Sequence, residues 1–183
     1  MAGAAQATLP SGVGMTPLQL HDDDRGGLVE LFRTAWDIGP EPVQWNVVHS
    51  RENVFRGFHV HAQHTDYLVV VSGRMMLGLK DIRRESPTFG RASLIELTGR
   101  QPAAVFIPPG VGHGFYFPEP SVHIYGVSHY WAIEDELGCV WNDAELGIDW
   151  PVQAPVLSQR DRMAASFDQM VEDYRRQSAA AQK

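Results

Sequence analysis

The densest chemistry in the chain lies between Arg56 and Gly73, in RGFHVHAQHTDYLVVVSG. Side chains alternate across a strand, so His59 and His61 face one way, and a cavity that admits one imidazole admits the other. Asp66 follows after a short loop and opens the next apolar run. A third imidazole, His113, sits far downstream in IPPGVGHGFYF, where Pro108 and Gly110 mark a turn leading into another strand. Groups of these types either move protons near neutral pH or ligate a metal. The chain holds eight histidines but one cysteine, which excludes cysteine metal clusters and disulfide frameworks. Any metal must be held by histidine and carboxylate.

The elements that position these groups are short. Between about Leu28 and Tyr130, segments rich in Val, Ile, Phe and Tyr alternate with Gly, Pro and Ser clusters, the pattern of a sandwich or small barrel. The expected strands are Val43–His49, Val54–His61, Tyr67–Val71, Met75–Asp81, Ala92–Leu97, Ala104–Ile107, Gly114–Phe117 and His123–Trp131. No period of roughly 20 to 50 residues repeats, and no Gly-rich phosphate loop opens a helix. From about Arg160 the character changes: Met163, Phe167, Met170, Val171 and Tyr174 fall near helical spacing, predicting an amphipathic C-terminal helix outside the β core.

With 183 residues, 44% hydrophobic and 20% charged, the chain suits one globular domain. We expect a disordered tail over 1–14 and one domain over 15–183. The first residues lack the basic start and apolar stretch of a signal peptide, and no apolar run is long enough to cross a bilayer, so a cytoplasmic location without membrane association is expected. Fifteen Lys and Arg against 22 Asp and Glu give a net charge of −7, the wrong sign for gripping nucleic acid.

The His-x-His pair, the carboxylate, the later glycine and the PxG followed closely by His113 resemble the two motifs of the cupin superfamily. That resemblance implies an all-β fold, a cupin double-stranded β-helix (jelly-roll) barrel, here with a C-terminal α-helix. It also implies a ligand set of His59, His61, Asp66 and His113 suited to Fe, Mn, Ni or Zn. Asp66 replaces the usual Glu, and the glycine that normally precedes the first histidine is missing.

A second resemblance runs from about Thr16 to Met163, to the dTDP-4-dehydrorhamnose 3,5-epimerase family, a cupin-fold group that carries no metal or other cofactor. It rests on DDRGGLVELF, VQWNVVHS, FRGFH, DIRRESPTFGR, IPPGVGHGF, HIYGVSHYW, VWNDAELGIDWP and LSQRD. The resemblance implies an isomerase acting on a nucleotide-activated keto-deoxysugar: a base removes a proton next to a carbonyl and an acid returns one from the opposite face. His59 would be the base, Asp161 would orient and charge it, and Tyr125 would be the acid. Arg25, Glu30, Gln44, Asn46 and Arg56 would hold the nucleotide and its pyrophosphate, with Trp131 standing where a base-stacking tyrosine is expected. A homodimer exchanging N-terminal strands is also implied.

This chain departs from the family at telling positions. Asp66 stands where the family has a lysine that stabilises the enolate oxygen, and a carboxylate there opposes an oxyanion. Leu77 replaces an aspartate and Leu28 an aromatic. Lys80, the sole internal lysine, differs in strand parity from Leu77. Two enzymatic readings therefore compete: a nucleotide-sugar epimerase, acting at one carbon or two, or a metal-dependent cupin enzyme built on that scaffold and acting on another small molecule. A non-catalytic binder stands behind both.

Other residues have plainer expectations. His64 should be solvated on its loop, and His123 and His129 should share the face of Tyr125. Asp24 should pair with Arg25, Arg83 and Glu85 should form a solvated hairpin, and Cys139 should be an inert core or semi-buried thiol.

Overall fold

A computed structural model of the protein describes residues 8–181. In chain order the strands are β1 (Gly14–Pro17), β2 (Leu20–Asp23), β3 (Gly26–Val29), β4 (Gln44–Ser50), β5 (Val54–Val60), β6 (Asp66–Ser72), β7 (Arg74–Asp81), β8 (Ala92–Thr98), β9 (Ala103–Ile107), β10 (Val111–Phe117), β11 (Ser121–Val127) and β12 (Leu137–Gly138). The helices α1 (Gln159–Arg162) and α2 (Phe167–Ala181) follow. Two five-stranded antiparallel sheets, ordered β1-β9-β6-β11-β4 and β12-β5-β10-β7-β8, form the expected jelly-roll barrel, and β2 with β3 makes a separate hairpin.

The continuous apolar run at β6 has a direct cause. Leu68 and Val70 point inward, packing with Val105 and Ile107 of β9 and with Met75, Leu77, Leu79, Val111 and Phe117 of the other sheet. Tyr67 and Val69 point outward but are covered by Ala104, Phe106, Leu31 and Phe32. A strand buried on both faces needs no polar alternation. By contrast β4 alternates: Trp45, Val47 and His49 face outward and are exposed, while Gln44, Asn46 and Val48 face inward.

On the second sheet, Met170 and Val171 of α2 close over Phe58, Val60, Ile82 and Leu146, a burial of about 2 kcal/mol per side chain. The C-terminal periodicity is carried by two helices rather than one. The first is a single turn capped by Ser158, whose hydroxyl accepts from the Asp161 amide, and the chain leaves it at Met163, which is 76% exposed. The last expected strand ends at Val127, so His129 lies beyond it and is exposed.

The DIRRESPTFGR stretch owes its composition to one buried carboxylate. Asp81 accepts from the Arg83 guanidinium at 2.8 and 2.9 Å and from the hydroxyls of Ser86 and Thr88 at 2.6 Å each. Arg83 also donates to the Ser11 carbonyl at 2.6 Å, and Ser93 donates to the Thr8 carbonyl at 2.8 Å. Arg83 is thus no solvated hairpin residue. Thr8 to Gly14, expected in the tail, is tied to the β7–β8 connection, whereas residues 1–7 of that tail lie outside the described residues.

Burial works against the Asp81 charge, but the Arg83, Ser86 and Thr88 bonds outweigh it and hold the carboxyl at about 2, below the ordinary 3.8. A depressed carboxylate contributes stability that is complete above its unfolded value and is lost as pH falls through the folded one. Asp81→Asn should cost about 2–3 kcal/mol at pH 7. In urea titrations the difference between variant and wild type should shrink as pH drops from about 4 to about 2.

Candidate functional site

Between the two sheets, at one end of the barrel, opens a cavity of about 450 Å³. Its wall includes His59 and Arg56 of β5, His113 and Phe115 of β10, His123 and Tyr125 of β11, and Arg160 and Asp161 of α1. The β10–β5 pairing sets His113 opposite His59, with a register shift immediately after His113. The turn before β10 requires Gly110: its φ is +76°, and a Cβ there would stand 2.3 Å from the Tyr174 hydroxyl.

His59 is held between two carboxylates. Its Nε2 lies 3.1 Å from Asp161 Oδ1, and its Nδ1 lies 3.5 Å from Glu136 Oε2. Ser158 donates to Asp161 Oδ2 at 2.8 Å, fixing that carboxyl. Glu136 is fixed in turn by the Trp131 indole N–H at 2.8 Å and by Arg160 at 2.8 Å. Burial raises the cost of both charges, but His59 and these donors prevail and hold Asp161 and Glu136 below their ordinary values. Both stay ionised at neutral pH, and the Arg160 guanidinium lies 3.0 Å from His59 Nε2 between them. Burial, then Glu136 and Asp66, push the Tyr125 phenol up, keeping its proton on at neutral pH.

The anticipated four-ligand set divides. Strand parity governs His59, but β5 ends at Val60, so His61 leaves the ladder and takes different partners in the same cavity. Its Nε2 lies 3.8 Å from Asp66 Oδ2, as does that of His113. The ligating atoms of these three residues all lie within 4.8 Å of one another, and His59 is outside the group. His64 is not solvated: it is 2% exposed, stacks on His61 at 3.9 Å and faces Asp135 Oδ2 at 3.0 Å. Burial drives His61 down to about 3 and His113 well below its ordinary value, and raises Asp66 to about 7.

The expected nucleotide-binding residues are dispersed. Arg56 and Trp131 line the cavity. Asn46 pairs with Tyr125 across β4 and β11, and its side-chain nitrogen is buried without a partner. Gln44 accepts from the Trp131 backbone N–H at 3.0 Å, bracing that ring at the rim. Arg25 and Glu30 lie away from the cavity of their own chain, in or beside the exposed β2–β3 hairpin. Arg25 pairs with Asp23, not Asp24, and Glu30 pairs with Arg33. Lys80 sits over the Phe167 ring, outside the cavity, and Cys139 is fully buried with its thiol pushed up to about 12 by burial.

Three contributors escaped the sequence. Glu136 lies in a loop more than seventy positions from His59, and nothing in its spacing announces the contact. Arg160 could have been found as the neighbour of Asp161 in LSQRD. Asp135, which accepts from His64 and from the Ala62 amide, shares the blind spot of Glu136.

The family model for dTDP-4-dehydrorhamnose 3,5-epimerase matches residues 8–169. The chain is 34% identical over 173 residues to the enzyme of that name from Pseudomonas aeruginosa, covering 90% of this chain and 95% of the relative. Among solved structures it resembles the Bacillus anthracis dTDP-4-dehydrorhamnose 3,5-epimerase with TDP and pyrophosphate bound, at TM-score 0.79 and 29% identity over 86% of this chain and 95% of that one. It also resembles a 3'-monoepimerase from Streptomyces bikiniensis in complex with dTDP-quinovose, at TM-score 0.81 and 26% identity over 96% and 98%.

Proposed function

The chain belongs to the dTDP-4-dehydrorhamnose 3,5-epimerase family, and on that premise we propose that its cavity takes a dTDP-4-keto-6-deoxyhexose and inverts carbon beside the ketone by proton removal and return. The protein is an epimerase-type isomerase of nucleotide-activated keto-deoxysugars. The observation that carries the assignment of roles is the setting of His59, one nitrogen against Asp161 at 3.1 Å and the other facing Glu136 at 3.5 Å, on the wall that also bears Tyr125.

Asp161 and Arg160 at Nε2, 3.1 and 3.0 Å away, and Glu136 facing Nδ1 hold the imidazole in place on the cavity wall. His59 takes the proton from carbon, and the two carboxylates stabilise the imidazolium that results. Arg160 pairs with Glu136 at 2.8 Å and its guanidinium also reaches His59 Nε2 at 3.0 Å, so it ties Glu136 and His59 together. Tyr125, protonated at neutral pH, returns a proton from the other face. Arg56 supplies a fixed positive charge at the mouth, where its Nε donates to Ser50 at 3.1 Å, and is suited to the pyrophosphate. Trp131, 43% exposed, offers a flat surface to the base. Incubation with dTDP-4-keto-6-deoxyglucose tests this directly. Proton NMR of the product should show inversion at C3, or at C3 and C5; a substrate recovered unchanged argues against it.

We propose further that the active form is a homodimer in which the β2–β3 hairpin brings Arg25 and Glu30 to the partner's cavity, Gln44 and Asn46 serving the chain's own. The distance of that hairpin from its own cavity supports this, as does the exposed apolar strip of Trp45 and Val47 on edge strand β4. Arg25→Ala and His59→Ala should each be inactive alone. Mixed after mild dissociation, they should recover about a quarter of wild-type activity, because half of the dimers are hybrid and each hybrid holds one complete site. No recovery in a mixture whose hybrids are verified would place Arg25 in its own chain's site, and full activity of Arg25→Ala alone would place it outside the reaction.

A further inference from the structure

The proposed proton transfer leaves a cluster of titratable side chains unused. Nε2 of His61 and of His113 each lie 3.8 Å from Oδ2 of Asp66, and His64 Nε2 approaches the same oxygen to 3.7 Å. The second nitrogen of every ring faces an oxygen. Nδ1 of His61 lies 3.2 Å from the Asp135 carbonyl, Nδ1 of His113 lies 3.3 Å from the Val111 carbonyl, and Nδ1 of His64 lies 3.0 Å from the Asp135 carboxylate. These oxygens only accept, so in the neutral rings of His61 and His113 the proton belongs on Nδ1 and each Nε2 presents a lone pair, while His64 stands between two carboxylates. Two lone pairs and a carboxylate oxygen therefore converge in a space where His61, Asp66, His113 and His64 are each less than 8% exposed.

Acceptors facing one another in a buried space repel, and at 3.7–3.8 Å no shared proton makes a hydrogen bond between them. A cation resolves the conflict. Two ligand atoms each about 2.1 Å from one ion stand ~3.0–3.5 Å apart, so the two approaches to Asp66 need an inward shift of a few tenths of an ångström, and the two histidines must close from within 4.8 Å of one another. Imidazoles that donate Nδ1–H to a carbonyl or carboxylate are arranged as metal-ligating histidines are, with tautomer and ring orientation fixed. Of the four residues, His61, Asp66 and His113 line the cavity and His64 does not, so a bound ion keeps open positions on the substrate side. His59 is not a ligand: Asp161 and Arg160 take up its Nε2 and Glu136 faces its Nδ1, apart from the three converging groups.

We propose that His61, Asp66 and His113 bind one divalent transition-metal ion on the cavity wall, with His64 bracing Asp66 against Asp135, and that this ion takes up charge from the substrate's carbonyl oxygen. The catalytic half of this rests on the epimerase reading above. As the C–H bond breaks, its proton passes to His59 and its electron pair moves into a carbon–carbon double bond, while the carbonyl π pair moves onto the oxygen held by the ion. Reprotonation reverses these movements, so the ion keeps its oxidation state. Two imidazoles and a carboxylate suit Fe2+, Mn2+, Ni2+ or Zn2+.

Full-length protein freed of metal by EDTA and then titrated calorimetrically with Zn2+ or Mn2+ alone tests the site. Wild type and His59→Ala should each bind one ion per chain. Asp66→Asn, almost the same shape, and His113→Gln should lose at least about tenfold in affinity. Circular dichroism and melting in EDTA select the folded variants, and His61→Gln is a third choice. A wild type that binds neither ion, or folded variants that bind as tightly as wild type, would overturn the proposal. Loss of the ion in folded His59→Ala would overturn the assigned ligand set. The two proposals fail separately: if only the metal site is wrong, EDTA-treated protein still inverts the keto-sugar, whereas if only the epimerase reading is wrong, the ion binds and the keto-sugar is untouched.

Discussion

His59→Ala should lower kcat about 10³-fold on dTDP-4-keto-6-deoxyglucose and leave the affinity for dTDP within about twofold of wild type, the mark of a group used in proton transfer rather than in holding the nucleotide. The effect is large because no other side chain in the cavity is equally prepared. His61 and His113 face Asp66 with their Nε2 atoms and backbone carbonyls with Nδ1, and burial keeps both neutral. His123 is likewise held down to about 4 by burial and has a buried Nδ1 without a partner. Of the histidines lining the cavity, only His59 has a carboxylate hydrogen-bonded on one nitrogen and a second carboxylate facing the other. A fall in dTDP affinity as large as the fall in kcat would mean that His59 binds rather than reacts.

Tyr125→Phe should separate the two halves of the reaction. The variant keeps His59 and its carboxylates, so hydrogen next to the ketone should still exchange with solvent, within about tenfold of the wild-type rate. Product of inverted configuration should form about 10²-fold more slowly, because the opposite face has lost its proton donor. Burial, Glu136 and Asp66 all favour the protonated phenol, so the donor role holds across neutral pH. Rates of exchange and inversion, read together by NMR in deuterated water, make the comparison. Equal losses in both would show that Tyr125 positions the sugar instead of protonating it.

Much of the barrel was legible because its strands are short, β-branched and bounded by turn residues. Strand β6 stood out as an unbroken apolar run, and β4 as an alternating one. The hairpin β2–β3 was legible only as strand-forming sequence that needs an edge, not as a pair: LHDD and GGLV carry no alternation because both faces are open to solvent. The C-terminal helix was placed correctly but drawn too long, since Met163 fits the helical period yet packs on nothing that buries it.

Within the site, strand parity led to the right cavity and the wrong partners. It holds only as far as β5 runs, and His61 stands one residue past its end. His64 looked like loop surface because its immediate neighbours, Gln63 and Thr65, are polar. What buries it is Asp135, seventy-one positions away, whose carboxylate faces His64 at 3.0 Å and accepts the Ala62 amide at 2.9 Å. The role of LSQRD was legible only through family resemblance, and Glu136 not at all. Contacts made across the barrel by loops leave no local signature in spacing or periodicity.

Solvent deuterium incorporation into dTDP-4-keto-6-deoxyglucose, followed by NMR with purified wild-type protein, bears most directly on proton transfer at His59. Deuterium should enter at C3, alone or with C5, with inversion at the labelled carbon, and His59→Ala should abolish both. A folded wild type that binds dTDP yet leaves C3 and C5 unlabelled, or a His59→Ala protein that labels them at the wild-type rate, would contradict it.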